Sequence, residues 1–423
     1  MKRRVVITGM GAVAPNGIGL SNFWAATRDG VSGIAPITLF DASELPSRIA
    51  GEVKGFDPAA FGLNREQVEH RDRATQFALV ASRMAVEDAA LDFRLVDRER
   101  TGVCIATAVS GVTTMENAFV RLSDRGRKLV TGEGEGPEFR AALLAHSPSL
   151  EVSIDHGLYG PSIGLACGCT SGIDAAGYAL QAIQDGDADV MINGGTDACV
   201  TLLTVDAFCI IGALSRRNDE PWRASRPFER DRDGFVIGEG AGTMVFEELE
   251  HAKARGARIY AEVLGYASTS NAYHMTSLQP DGVALSKCLD LCLKRSGVTP
   301  DDIDYVNAHG SSTAQNDRHE TAAYKLSFGE ERAYKIPVSS TKSVTGHTLG
   351  GVSTMELIAC VMAIQEQVMP PTINYENPDR YCDLDYIPNV AREGKVDVAL
   401  SNANGFGGLH SAMTIARYGW RDS

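Results

Sequence analysis

Gly164–Gly172 reads GLACGCTSG, with Cys169 at its tip. It runs into TSGIDAAGYALQAIQDG, where Ile173, Ala176, Leu180 and Ile183 recur at helical spacing and Gly186 offers a stop. The preceding LYGPSIGLA is a short apolar run with turn residues, which suits a buried strand. A thiol at the hinge from strand to helix faces the helix N-terminus. There the macrodipole and free N–H groups favour a thiolate and can hold a developing oxyanion. The local reading is a cysteine nucleophile.

A cysteine is more often a small buried hydrophobe than a reagent, and most of the nine here sit in apolar runs: Cys104 in TGVCIAT, Cys288 and Cys292 in LSKCLDLCLK, Cys360 in LIACVMA. The glycine-rich elbow sets Cys169 apart. Cys167, two residues earlier, looks like the start of a metal-binding pair, but no second Cys/His pair with ligand spacing follows, so no metal site is expected.

The 423 residues are 44% hydrophobic and 22% charged, ordinary for a globular enzyme. A net charge of −14 argues against nucleic-acid binding, which wants a basic face. Nine scattered cysteines argue against a disulfide framework and fit a reducing, cytoplasmic setting. The N-terminal MKRRVVITGMGAVAPNG copies a signal peptide only superficially, since Gly9, Gly11 and Pro15 interrupt it. It is read as a strand, Val5–Thr8, followed by a turn over Gly9–Gly17. No run is expected to reach the ~18 apolar residues of a membrane span.

Strand-like and helical runs alternate along the chain, and their order occurs twice. Arg4–Thr8, a helix near Ser21–Asp29, the amphipathic Ala74–Leu91, the strand Gly102–Ala108, the Cys169 elbow and helix, and Asp189–Asn193 make the first half. The charged EELEHAKARG closes it as a surface helix. Ile259–Leu264, Gly282–Ser296, Ile303–Ala308, Val338–Ser340 with its turn and the helix Thr354–Gln365, and Val396–Ser401 make the second. Such a duplication implies layered α/β/α packing around mixed sheets, with halves at 1–250 and 251–423. The basic segment 121–136, with Arg121, Arg125, Arg127 and Lys128, reads as a solvated loop or as a landing site for an acidic partner.

Three segments of the second half look over-specified: VNAHGSSTAQNDRHET (Val306–Thr321), SSTKSVTGHTLGG (Ser339–Gly351) and SNANGFGG (Ser401–Gly408). A single histidine at a strand end more often satisfies local hydrogen bonds. But His309, His347 and Cys169 occupy matching points of the two halves, and such points converge at the carboxyl ends of strands. His156, His251 and His319 have no such context.

These segments, with GCTSG and FERDRDGFVIGEGAG (Phe228–Gly242), resemble the β-ketoacyl synthases, or condensing enzymes, over Met1–Arg417. NDRHET and GCTSG are most similar to the α (ketosynthase) subunit of bacterial type II polyketide synthases. The resemblance implies a thiolase-like α/β fold, duplicated halves in a five-layer α/β/α/β/α arrangement, acting as a dimer. It implies that Cys169 takes an acyl chain from an acyl carrier protein, with the N–H groups of Cys169 and Phe406 as oxyanion hole. It implies that His309 and His347 hold the enolate formed when a malonyl carrier protein loses CO₂. Lys342 is not read as the base, because an ordinary lysine is protonated at neutral pH; by resemblance it pairs with Glu320. Ser311 and Thr313 match positions that hold the phosphopantetheine arm, and Phe406 the gate of the acyl pocket. No metal or redox cofactor is implied. The implied partners are the carrier protein and a chain-length-factor subunit in a heterodimer, with no nucleic acid and no membrane.

The sequence also departs from the family pattern. Asn404 stands where the fatty-acid enzymes commonly have a second phenylalanine, and a more polar lining would tolerate keto groups. His410 stands where an asparagine often falls, with no role assigned. A homodimeric 3-oxoacyl-[acyl-carrier-protein] synthase II of fatty-acid elongation is the alternative. A thiolase would want a second catalytic cysteine near NANGFGG, and a scaffold would not explain Cys169 with both histidines.

Overall fold

The strand that begins the chain is longer than its sequence suggests. In the computed structural model, which describes residues 2–128, 141–279 and 281–422, Val5–Ala14 (β1) runs straight through the expected turn at Gly9 and Gly11, and all ten residues are buried. The glycines are there for clearance. A Cβ on Gly9 would lie 2.2 Å from the carbonyl oxygen of Ala85, and one on Gly11 2.2 Å from that of Ala81. Both carbonyls belong to the helix Arg73–Asp88 (α1), which lies across the strand.

β1 sits at the middle of an 11-stranded sheet. On one side follow Gly240–Glu248 (β5), Val190–Asp197 (β4), Thr101–Ala106 (β2) and Ser162–Ile163 (β3). On the other side follow Ala261–Ser270 (β6), Leu409–Arg417 (β10), Val398–Gly405 (β9), Tyr305–Asn307 (β7) and Val338–Ser339 (β8). Numbered within its own half, each side has the order 3-2-4-5-1, with strands 2, 3 and 4 parallel and 5 antiparallel to its neighbours. The halves join where Val5, Val6 and Ile7 pair antiparallel with Val263, Glu262 and Ala261. The hairpin partner of β1, Gly17–Ile18, lies off this path.

Helices fill the layers. α1 covers β1, β4 and β5 on one outer face, beside the helix Ser147–His156. Val283–Ser296 (α3) covers β6 and β10 on the other, packed against Ala314–Phe328 (α4). Between the half-sheets lie Ser171–Asp185 (α2) and Val352–Glu366 (α5), which touch each other and strands of both halves. α2 is thin enough for this place because Ala175, Ala176, Ala179 and Ala182 are all buried in the central core.

Several expectations need correction. Leu349–Glu366 is long and apolar enough by composition to cross a membrane, but it is 83% buried as the central helix, where apolar residues on all sides are what two flanking sheets demand. LYGPSIGLA supplies only a two-residue edge strand, with Ser162 exposed, rather than a buried one. In EELEHAKARG, Glu247 and Glu248 end β5, and only Leu249–Ala254 is helical. Of the basic segment, Arg125, Arg127 and Lys128 are exposed after the helix Val112–Leu122, and residues 129–136 lie outside the described residues.

Because Ala81 and Ala85 present backbone rather than a movable side chain to β1, Gly11→Ala should destabilise the protein at the upper end of the ~1–3 kcal/mol typical of overpacking. Chemical denaturation measures it, and wild-type stability in that variant would contradict the packing described.

Candidate active site

The elbow before α2 is a single 3-10 turn, Gly168–Thr170, entered through Gly168 at φ +62. Ser171 locks it from inside the helix. Its hydroxyl donates to the carbonyl of Thr107 and accepts from the N–H of Cys167, at 3.1 and 3.0 Å. Thr170 donates to Asp174 one turn on, at 2.7 Å. Cys169 is thereby presented, partly exposed, to a pocket enclosing about 490 Å³ of empty space, part of it open to solvent.

That pocket is where the three over-specified segments meet. Cys169, His309, His347, Ser311, Thr313, Asn404 and Phe406 all line it, so seven sequence-predicted residues share one site. Lys342, Glu320 and Glu356 lie behind the wall. Sequence reasoning had not singled out Phe208, Phe235 or Asn316, which also face the space. Phe235 packs on Phe208 and on the ring of His347, both at 5.3 Å between centroids. Asn316 and Phe235 were legible in outline, since Asn316 opens NDRHET and Phe235 lies within FERDRDGFVIGEGAG, whereas Phe208 belongs to no quoted motif.

The two imidazoles stand edge to face, 5.3 Å apart. His347 Nδ1 accepts the N–H of Leu349 at 3.1 Å, so the ring carries its proton on Nε2 and is a donor there. Burial, aided by the Lys342 cation, holds the pKa of both histidines well below 6.5. They are neutral at physiological pH. The His309 main chain is fixed from below, its N–H donating to Glu320 at 2.6 Å and that of Gly310 at 2.8 Å.

Burial likewise governs the thiol. It pushes Cys169 up to about 11, against the pull of Lys342 and of the N–H groups of Phe406 and Cys169 itself, which act on the sulfur. The helix terminus alone therefore does not give a resting thiolate. Cys167, burdened by burial and by Asp174, is also pushed up to about 11.

One expected pairing is wrong. Lys342 donates to Glu356 in α5, not to Glu320, and both partners are almost wholly buried. The acid at 356 sits in the apolar run MELIACVMA, an unpaired charge by sequence and a signal that a buried cation faces it. Burial raises Glu356 to about 7 despite Lys342. Glu320 has no need of a cation. It accepts from two main-chain N–H groups, Tyr324, Asn402 and Asn316.

Asn404 also differs from expectation. It borders the pocket, but its amide is engaged at both ends, donating to Asn316 at 3.0 Å and accepting from His410 at 2.9 Å. The polar lining expected there is turned into the wall. Phe406 is the exposed end of the same loop, its ring 6.3 Å from Phe208. Ser311 and Thr313 bond each other through their hydroxyls at 2.9 Å beside the pocket. Among the described residues no group of three or more His, Cys, Asp or Glu side chains is placed to hold a metal ion.

The chain is 49% identical to the tetracenomycin polyketide synthase ketoacyl synthase alpha subunit of Streptomyces glaucescens, over 98% of this chain and 97% of that one. It is 44% identical to the 3-oxoacyl-[acyl-carrier-protein] synthase 2 of Coxiella burnetii, over 98% and 99%. Among solved structures, a type II polyketide synthase acyl-carrier protein in complex with its ketosynthase bound to the hexaketide superposes with a TM-score of 0.92, at 39% identity over 99% of this chain and 100% of that chain. The ishigamide ketosynthase/chain length factor superposes with a TM-score of 0.90, at 33% identity over 99% and 100%. Residues 2–252 match the N-terminal and 260–376 the C-terminal domain model of the β-ketoacyl synthases, so the chain belongs to that family of condensing enzymes.

Proposed function

We propose that the protein is the catalytic ketosynthase subunit of a type II polyketide synthase, condensing malonyl carrier protein with an acyl chain held on Cys169. The observation that carries this reading is the meeting, in one pocket, of a thiol and two neutral histidines from the opposite half of the fold.

The chemistry runs in three steps. The sulfur of Cys169 attacks the thioester of an incoming acyl carrier protein; the new S–C bond replaces the old one, and the thiol proton leaves with the phosphopantetheine sulfur. The N–H groups of Cys169 and Phe406 hold the oxyanion of the tetrahedral intermediate. Malonyl carrier protein then enters past Ser311 and Thr313, and its C–CO₂ bond breaks, leaving the electron pair in an enolate. Nε2–H of His347, together with His309, donates to the enolate oxygen. Neutral donors suit this task, because they stabilise a charge that exists only as the carboxylate departs. The enolate carbon attacks the Cys169 thioester, the C–S bond breaks, and the sulfur regains a proton from water. The product is a 3-ketoacyl chain two carbons longer on the carrier protein. The steps balance without metal or redox chemistry.

Lys342, paired with Glu356, supplies a fixed positive charge that favours neutral imidazoles and draws the thiol toward its anion. We assign the partner as a chain-length-factor subunit, on the likeness to ketosynthases that work with one, and the setting as cytoplasmic, on cysteines that are all free. The second reading, a homodimeric fatty-acid elongating synthase, is favoured by the 44% identity to the Coxiella enzyme.

The test is the mass of chains on carrier protein, with and without the partner, together with CO₂ release. Chains built only with the partner are expected. Cys169→Ala should lose the acyl adduct and all chains yet still release CO₂, whereas His347→Ala should lower CO₂ release by ~10²–10³. Chains built without the partner would establish the homodimer, and full product from Cys169→Ala would end the covalent reading.

The raised thiol makes a second prediction. Thiolate grows as pH rises toward the pKa, so with a value near 11 alkylation of Cys169 should climb about tenfold per pH unit from pH 7 to 9.5. A plateau by pH 8 would contradict the burial argument.

A further inference from the structure

The two positions at which the C-terminal glycine loop departs from the family pattern touch each other. Asn404 and His410 face one another across the antiparallel pair β9–β10, on the same side of the sheet. His410 is fully buried and has no access to the pocket, and Asn404 is 4% exposed. Their hydrogen bond is one link in a longer chain, and the direction of every link is forced.

Glu320 is an acceptor toward five donors, so Asn316 must turn its NH₂ group to it, at 3.2 Å. The same NH₂ group reaches Asp317, also at 3.2 Å. The carbonyl end of Asn316 then faces Asn404, which must donate through Nδ2, at 3.0 Å. The carbonyl end of Asn404 in turn faces His410, which must donate from Nδ1, at 2.9 Å. The rail ends there. His410 Nε2 has no hydrogen-bond partner among the described residues, and the ring stacks on His319 at 5.3 Å. At the other end, Glu320 holds the N–H groups of His309 and Gly310.

We infer that His410 and Asn404 are positioning residues for His309, acting through Asn316 and Glu320. This rests on the enolate role proposed above for His309. An amide has nearly the same shape with its oxygen and nitrogen exchanged, so packing alone does not orient Asn404 or Asn316. Without a donor at position 410, the carbonyl of Asn404 is buried without its hydrogen bond, and reversal of the amide costs little more. Reversal sets oxygen against oxygen at Asn316, and a reversed Asn316 sets oxygen against the Glu320 carboxylate. The seat of the His309 main chain then shifts. A donor aimed at a developing enolate is sensitive to such a shift, whereas the attack of Cys169 on a thioester makes no use of His309. The rail therefore acts on one half-reaction. It also explains why the polar side chain at 404 is turned away from the acyl chain: its amide serves the histidine.

The test separates the half-reactions in the full protein with its partner and carrier protein. Acylation of Cys169 is followed by mass and CO₂ release from malonyl carrier protein by a coupled assay. His410→Leu removes the donor at similar volume. It should lower CO₂ release between about tenfold and a hundredfold, the range for small misplacements of a catalytic group, while the acylation rate stays within twofold of wild type. His410→Asn keeps an N–H at the level of Nδ1 and should restore CO₂ release. If His410→Leu does not fold, Asn404→Leu breaks the rail one link on and should show the same fall in CO₂ release. Wild-type CO₂ release in either variant, or an equal fall in acylation and CO₂ release with His410→Leu, would overturn the rail. A wild-type protein that releases no CO₂ would instead remove the enolate reading itself.

Discussion

The site exists because β4, the first turn of α2 and the residues that lead into α5 meet with almost nothing between them. At Gly195, on β4, a Cβ would stand 2.2 Å from the carbonyl oxygen of Gly350, and at Gly172, in the first turn of α2, 2.3 Å from the hydroxyl of Thr354. These contacts join the elbow of Cys169 to the loop that carries His347. Asp197, at the end of β4, closes the seam with a buried carboxylate that accepts from Thr107, Ala108, Val109 and Gly350. Burial raises it to about 6, and the four donors keep the rise from going further. A side chain at Gly195 or Gly172 would press the elbow of Cys169 and the His347 loop apart.

Once that distance is set, electrostatics follows from burial. Burial keeps the histidines neutral and the thiol protonated, and the Lys342 cation, held by Glu356 behind the wall, acts on all three. The balance suits a reaction in which negative charge appears transiently, first at a thioester oxygen and then at an enolate. A helix N-terminus opening on solvent would give a more reactive cysteine. It would also leave the intermediate more open to water than this half-buried pocket does.

Much of this was legible in the chain. The repeat of elements, the Cys169 elbow and the two histidine turns each had a local signature, and the family resemblance joined them. What failed was long-range. Gly9 and Gly11 look like a turn because a sequence does not display the helix that requires their lack of a side chain. The resemblance pairs Lys342 with Glu320, whereas its partner Glu356 lies in a helix whose apolar neighbours conceal a packing position between two sheets. Asn404 looked like a polar pocket wall because only the cross-strand register reveals His410 as its partner. Leu349–Glu366 is apolar all round for the same reason: two sheets, not a membrane, surround it.

One close approach is expected to place thiol, oxyanion donors and enolate donors around a single reacting carbon. A crystal structure of the protein with an acyl chain on Cys169 tests it most directly. The thioester oxygen is expected within about 3.1 Å of the N–H groups of both Cys169 and Phe406, with the open side of the carbonyl carbon facing His309 and His347. An acyl oxygen turned away from those N–H groups, or a chain lying between the carbonyl carbon and the histidines, would contradict the account.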